Sequence, residues 1–308
     1  MRVNHSRFAF LLLFSLFSIH VALGAQESAW DRSIDNGDVA MAKQHYAEAE
    51  TAYRQAVTIA EKRWKKDARI SASLFKVAES CNAQGKREEA DTLAKRSSAS
   101  MDEAVNAHPA RNASDVYQEL TVSTALFEKV GDLLAGNQDY PDAEGMYQKS
   151  LTRWREYVSR PTAAERGNEE LFRFWLQAQQ DAPSKLVSAG VKLGALYQKQ
   201  AKLKEAGALY RQLATTQKLD ETNEVREVPL LTSLASAEFR IGDYVGAEPL
   251  FKHVIDLLAS SKYKDSPDMA SALENYAVLL RKTGREDASK PFLDRASVIR
   301  ANSATVVH

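Results

Sequence analysis

Val191-Lys-Leu-Gly-Ala-Leu-Tyr-Gln-Lys-Gln-Ala-Lys-Leu-Lys-Glu-Ala-Gly-Ala-Leu-Tyr-Arg-Gln-Leu213 is the stretch on which the fold turns. Val191, Leu193, Gly194 and Tyr197 recur at short helical steps, and after a lysine-rich turn so do Leu203, Ala206, Tyr210 and Leu213. That period puts each set on one face of an α-helix, so the stretch reads as two amphipathic helices folded back as a hairpin. Its second half has a form found elsewhere: a bulky residue three before a small one, and an aromatic four after it. Tyr46/Ala49/Tyr53, Tyr140/Ala143/Tyr147, Leu203/Ala206/Tyr210 and Tyr244/Ala247/Phe251 all fit, with fainter copies at Ala90 and near Ser289. Helices of a hairpin approach closely only where one presents a small side chain, and the aromatics fill the space on either side. Leu in place of Ala143 is expected to overpack that contact at a cost of about 1–3 kcal/mol. Gly85, Gly242 and Gly284 hold the same turn in three copies, where the residue ending a helix needs a left-handed conformation. Gly136-Asn137 is expected to serve the same end in the third copy.

Self-similarity at a fixed period marks stacked repeats. Ala49 to Ala90 and Ala206 to Ala247 are steps of 41 residues, and Ala247 to Ser289 is 42. The two middle steps are longer, at 53 and 63. The first excess contains His108-Pro-Ala-Arg-Asn-Ala-Ser114, a loop with Ser114 placed to cap the next helix. The second runs from Arg160-Pro161 to Gly167 and into an aromatic helical stretch with Phe172, Phe174 and Trp175. That stretch either covers a junction between two three-hairpin halves or gives the array its individuality. The expected organisation is a leader over 1–24, repeats one to three over 25–160, an inserted helical segment over 161–186, repeats four to six over 187–300, and a tail over 301–308.

With these residues the chain resembles the tetratricopeptide repeat family, over essentially all of the sequence that follows the leader. The family's usual unit is about 34 residues, a leucine–glycine–tyrosine helix followed by an alanine–phenylalanine helix. Leu193-Gly194 with Tyr197, then Ala206 with Tyr210, follow it. The longer period is similar to the kinesin-light-chain variety, with Leu273-Glu-Asn-Tyr-Ala-Val-Leu-Leu-Arg-Lys-Thr-Gly-Arg285 as its best match and Ala247-Glu248-Pro249 similar to another piece. The resemblance implies an all-α, right-handed solenoid of about six hairpins. It also makes Pro249 and Pro291 expected inside their helices, where the residue pattern alone would move the helix starts.

The resemblance further implies a concave surface lined by the first helix of each hairpin, on which peptides or proteins bind. Its candidate lining here is Ile34, Asp38, Phe75, Glu79, Glu128, Asp132, Val191, Gln198, Thr232, Phe239, Glu274 and Arg281. The N-terminal half of that set is acidic; the other half, with Arg240 and Lys282 nearby, is neutral to basic. Such a groove would orient a peptide with its cationic part toward the first three repeats. Family members that clamp the carboxylate of chaperone tails need Lys and Asn where this chain has Ile34 and Asp38, so those tails are not expected ligands.

Composition narrows the function classes. Forty-one basic and forty-one acidic residues leave no overall field for nucleic acid or an anionic membrane. Arg2 and Arg7 precede an apolar run from Phe8 to Ile19, and Ala22-Leu-Gly24 follows, which reads as a secretory signal cleaved between Gly24 and Ala25. The expectation is an exported protein, periplasmic or secreted, with no membrane span after cleavage. The lone Cys81 lies on a stripe with Leu74, Val77 and Ala78 and reads as a small buried hydrophobe. Lys62-Arg63-Trp64-Lys65-Lys66 closes a helix, where cations meet the negative end of its dipole. Asn112-Ala-Ser114 is a glycosylation sequon, with meaning only in a eukaryotic secretory route. Neither a phosphate loop nor a nucleophile elbow is present. His45, His108, His253 and His308 have no partner at ligand spacing, and Asp31, Asp35 and Asp38 lack the closing Glu of a calcium loop. The sequence therefore points to a non-catalytic scaffold for a protein or peptide, without metal or cofactor. Self-association, or a place as an accessory subunit of an envelope complex, is the alternative.

Overall fold

The computed structural model describes residues 29–108, 113–159, 169–216 and 228–305. The leader 1–24, the whole 160–168 stretch, Asn112 of the sequon and residues 306–308 lie outside the described residues, as do the side chains of Ser114, Phe172, Phe174 and Trp175.

Among the described residues the chain is twelve helices and no strands: α1 Ala29–Ala42, α2 Tyr46–Arg63, α3 Ala68–Ala83, α4 Arg87–Ala107, α5 Ala113–Gly136, α6 Tyr140–Ser159, α7 Glu169–Lys199, α8 Leu203–Thr216, α9 Val228–Ile241, α10 Tyr244–Ala259, α11 Pro267–Lys282 and α12 Glu286–Thr305. They pair in sequence order into six hairpins, as the repeat demands. Pro249 and Pro291 do fall inside α10 and α12. The helix starts stay where the repeat puts them, at Tyr244 and Glu286.

One turn is used six times. Gln44, Gly85, Gln138, Ala201, Gly242 and Gly284 take left-handed φ values of 62, 78, 72, 58, 87 and 77°. The next residue's N–H then reaches a carbonyl five residues back, as in His45 to Ala40 at 2.9 Å, Lys86 to Cys81 at 3.0 Å and Arg285 to Leu280 at 2.8 Å. That bond caps the first helix and aims the chain into the second. In the third hairpin the left-handed residue is Gln138, while Gly136 stays helical, so the expectation for Gly136-Asn137 is corrected by two positions. Glycine marks the turn in half of the hairpins only, and the other three accept a strained residue.

Each turn residue stands five before the small residue of the second helix, from Gln44 and Ala49 to Gly284 and Ser289. Those small residues are fully buried, none above 1% exposed. Seven before the turn lies another small residue, on the facing helix: Gly37, Ala78, Gly131, Gly194, Ala235 and Ala277. Glycine appears there only where tyrosine faces it. A Cβ on Gly37 would stand 2.2 Å from Tyr53, on Gly194 2.3 Å from Tyr210, and on Gly131 2.8 Å from Tyr147. The glycine–tyrosine pair is thus one packing decision written at two sites.

The chain forms two compact units, Met1–Ala182 and Pro183–His308. Hairpins α1–α2, α3–α4 and α5–α6 belong to the first, whose core includes Ile34, Tyr53, Leu74, Phe127 and Trp154. The second has its core in Leu231, Val254, Leu258, Met269 and Leu273, continued by Phe251, Tyr276 and Leu279. The boundary falls within α7, before Pro183. Among the described residues no helix is long and apolar enough to cross a membrane.

Candidate binding surface

In the first unit α1, α3 and α5 are the leading helices of their hairpins, and α3 lies beside α5. The residue six before the turn is acidic in all three: Asp38, Glu79 and Asp132. Asp38 Oδ1 accepts the Tyr53 hydroxyl at 2.6 Å and the Lys76 ammonium, from α3, also at 2.6 Å. Lys76 Nζ lies 5.2 Å over the Tyr53 ring as well. Asp132 Oδ1 accepts the Tyr147 hydroxyl at 2.6 Å, the same bond two hairpins on. Burial, then the adjoining carboxylate, push both phenols well above their usual range.

Glu79 is the exception among the three. The place where a tyrosine would face it holds Ala94. Among the described residues no donor stands within hydrogen-bonding distance of its carboxylate. Its side chain is exposed to solvent, yet protein crowds it closely enough to desolvate the carboxyl in part. That crowding pushes the carboxyl above its ordinary value, against the pull of Lys76 and Lys129, and Asp38 adds to the rise. A carboxylate that is partly desolvated and has no direct partner is the group on this surface with most to gain from an incoming cation.

Other expected lining residues have settled differently. Ile34 and Phe75 are buried, at 2% and 5% exposure, so they hold helices together and face no partner. Each stands one helical turn before an acid of the row, and the stripe that is open at Asp38 and Glu79 is covered there by stacking. Glu128 accepts the Ser150 hydroxyl at 2.9 Å, which ties α5 to α6. In the second unit Val191 and Thr232 are half-buried. Gln198 accepts from Arg240 Nη1 at 3.1 Å and donates to the Tyr210 hydroxyl at 3.4 Å. Phe239 packs on Tyr244, ring centres 5.4 Å apart. Glu274 accepts Arg300 of α12 at 2.8 Å, and that guanidinium holds its carboxyl below the usual range. Arg281 is exposed, 3.9 Å from Glu286. The surface thus gathers Asp38, Glu79 and Asp132 from the expected set. It adds Lys76 and Lys129, three residues before Glu79 and before Asp132, a spacing on one helix face that identifies them from sequence.

Two further clusters are occupied by the protein's own groups. Glu50, Cys81 and Glu89 bring potential ligand atoms within 4.8 Å of one another. Arg54 binds both carboxylates and reaches to 3.9 Å from the Cys81 sulfur, and Lys86 and Gln84 also donate to Glu50. Burial raises Glu50, but the bonds from Lys86, Gln84 and Arg54 outweigh it and hold the carboxyl at about 2. Cys81 is fully buried as expected, its thiol pushed up to about 11 by burial and by Glu50 and Glu89. In the basic run, Trp64 stands edge-on to Trp30 at 6.1 Å with the Arg69 guanidinium 4.1 Å over it, so its ring packs at the end of the first hairpin.

A tetratricopeptide repeat model matches residues 37–63, which contain the end of α1, the turn and the whole of α2. None of the curated proteins compared with the chain matches it. Among solved structures, BtubC (BKLC) from P. vanneervenii is 14% identical with a TM-score of 0.55, over 90% of this chain and 93% of that one. RapI in its apo form is 11% identical with a TM-score of 0.53, over 98% of this chain and 81% of that one. A kinesin light chain with nearly identical TPR-like repeats from Podosopora anserina is 14% identical at 0.47, over 90% and 99%. At these identities the likeness to BtubC and RapI establishes the fold.

Proposed function

From a chain folded as tetratricopeptide-type hairpins, we propose an exported, non-catalytic scaffold whose first unit holds a cationic stretch of a protein or peptide partner against Asp38, Glu79 and Asp132. The observation that carries the reading is Glu79. Its two neighbours in the row already have a tyrosine hydroxyl each, and Asp38 a lysine besides. Glu79 sits in the middle helix with only the longer-range pull of Lys76 and Lys129. A lysine or arginine from a partner would supply the missing donor and relieve the desolvated charge. The lack of catalytic motifs in the sequence, and the ion pairs that occupy the Glu50–Cys81–Glu89 cluster, support a holding role over a chemical one.

Calorimetric titration of the full chain with a lysine-bearing synthetic peptide tests this. Glu79→Gln should weaken binding by about tenfold, the size expected for a partly desolvated charge pair. Reversal of Glu128 and Asp132 to Lys should also weaken it. Equal affinity of the Glu79→Gln variant and the parent would end the proposal. Export is checked by the intact mass of protein recovered from an expressing host's envelope fraction, which should begin at Ala25.

A further inference from the structure

The second unit repeats the turn register of the first with other residues at its exposed positions, and the substitution is systematic. Two residues before each left-handed turn residue, on the leading helix, stand Lys199, Arg240 and Lys282, all exposed. The first unit has Ala42, Ala83 and Gly136 at those places. Six before the turn, where the first unit has its three acids, the second has Ala195, Ser236 and Val278. Val278 is 43% exposed, and Ala195 is exposed as well. Positions four apart share one helix face. The leading helices α7, α9 and α11 therefore present a row of three cations beside a row of small or apolar residues.

Helix dipoles favour cations in a last turn, and that effect alone would put them at the ends of all leading helices. It does not explain the contrast, because the last turns of α1, α3 and α5 contain no basic residue. Nor are the cations consumed by internal pairing. Among the described residues Lys199 and Lys282 have no acidic partner. Arg240 spends two of its donors on Gln198, at 3.1 Å to the side-chain oxygen and 3.2 Å to the carbonyl, and a guanidinium has five. These bonds also fix Arg240 across the step from α9 to α7.

We infer that the row Lys199–Arg240–Lys282 is a docking surface of the second unit for an extended acidic segment, its small side chains lying along Ala195, Ser236 and Val278. Packed helices stand about 9–10 Å apart and an extended chain advances about 3.3 Å per residue, so one carboxylate in every three residues matches one cation per hairpin. The partner is thus defined by spacing as well as sign. The inference uses other residues and the opposite ligand charge from the reading of the first unit, so the two stand or fall separately.

The test is fluorescence anisotropy of the full chain with two labelled peptides of one composition. One has Asp at every third position among Ala, Ser and Val; the other has its Asp residues contiguous. The spaced peptide should bind more tightly, by about threefold to fivefold, and lose affinity as salt is raised. Lys199→Glu with Lys282→Glu should weaken it by about tenfold, while Glu79→Gln leaves it unchanged. Both lysines are exposed, so far-UV circular dichroism of the double variant should match the parent; were it to differ, Lys199→Gln with Lys282→Gln gives the same comparison without charge reversal. Equal binding of the two peptides, no binding of either, or a variant that binds like the parent would overturn the inference.

Discussion

In hairpins one to three, the place six before the turn holds Asp38, Glu79 and Asp132, and the place two before it holds Ala42, Ala83 and Gly136. In hairpins four to six the same two places hold Ala195, Ser236 and Val278, then Lys199, Arg240 and Lys282. Beneath that inversion the two units share every packing device. The turn is left-handed in both, the small residue five after it is buried in both, and tyrosine stands over glycine in both, at Tyr53 and Gly37 as at Tyr210 and Gly194. The apolar packing positions and the charged positions interleave on each helix, and they meet only where Asp38 and Asp132 take the hydroxyls of Tyr53 and Tyr147. The charge of a unit can therefore differ while its apolar packing stays the same.

The sharpest way to break the comparison is to damage the shared device and ask whether both units suffer alike. Gly37→Ala puts a Cβ 2.2 Å from Tyr53, and Gly194→Ala puts one 2.3 Å from Tyr210. Each should cost about 2–3 kcal/mol from overpacking, less the small gain in helix propensity. Gly131→Ala, where the contact is 2.8 Å, should cost less than either. Guanidinium unfolding followed by circular dichroism gives the order. A tolerated Gly194→Ala beside a damaging Gly37→Ala would show that the units pack by different rules.

The next test compares one register position across the units. Four before the turn, the first unit has Cys81 and the second Glu238, both buried, at 0% and 4% exposure. Each faces an arginine five after the small residue, Arg54 and Arg211. Arg211→Ala strands the Glu238 carboxylate in the interior, which should cost about 1–2 kcal/mol once the exposure of Arg211 is allowed for. Arg54→Ala removes two ion pairs and should cost less. Glu50 retains Lys86 and Gln84, Glu89 is exposed, and Cys81 loses nothing it requires. Unfolding free energies of the two variants decide between them.

That pair shows what the sequence made legible. The six hairpins follow from the spacing of Ala49, Ala90, Ala143, Ala206, Ala247 and Ser289, because packing at those sites tolerates little else. The turn was half legible: Gly85, Gly242 and Gly284 announce it, but Gln44, Gln138 and Ala201 take the same conformation without the residue that advertises it. The acidic row of the candidate surface was visible in Asp38, Glu79 and Asp132. Periodicity placed Ile34 and Phe75 beside them, and a helix periodicity reports a face without reporting where a neighbouring hairpin covers it. Arg211 and Glu238 were not visible, because their meeting depends on the step between hairpins.

The strained turns offer a smaller effect with the opposite sign. Ala201 holds a φ of 58° with nothing but a Cβ to oppose it, so Ala201→Gly should stabilise the second unit by about 1 kcal/mol. Gln44→Gly and Gln138→Gly should do the same in the first. A thermal melt shows the sign directly: a lower melting temperature for Ala201→Gly would mean that context has already relieved the strain. Gly85→Ala should mirror the change with a loss of similar size.

The smallest effect separates binding from folding. The Glu79 carboxyl is raised above its ordinary value by crowding, so its charge is harder to hold in the folded chain than in the unfolded one. Well below pH 4.5 the group is neutral in both states and costs nothing. As pH rises from there toward the higher folded value, the unfolded chain ionises the group more readily than the folded one, and stability falls relative to a chain without it. Glu79→Gln should therefore be slightly more stable than the parent at neutral pH, by less than about 1 kcal/mol given its exposure, and indistinguishable from it near pH 4. The same variant should lose affinity for a lysine-bearing peptide. No other member of the acidic row should behave so: Asp38→Asn gives up bonds from Tyr53 and Lys76 and should lose stability and binding together. Melts at pH 4 and pH 7 on both variants read the difference. If Glu79→Gln destabilised the chain at neutral pH, Glu79 would be a structural carboxylate like its neighbours, and the contrast between an unsatisfied acid in one unit and its small replacements in the other would lose its functional meaning.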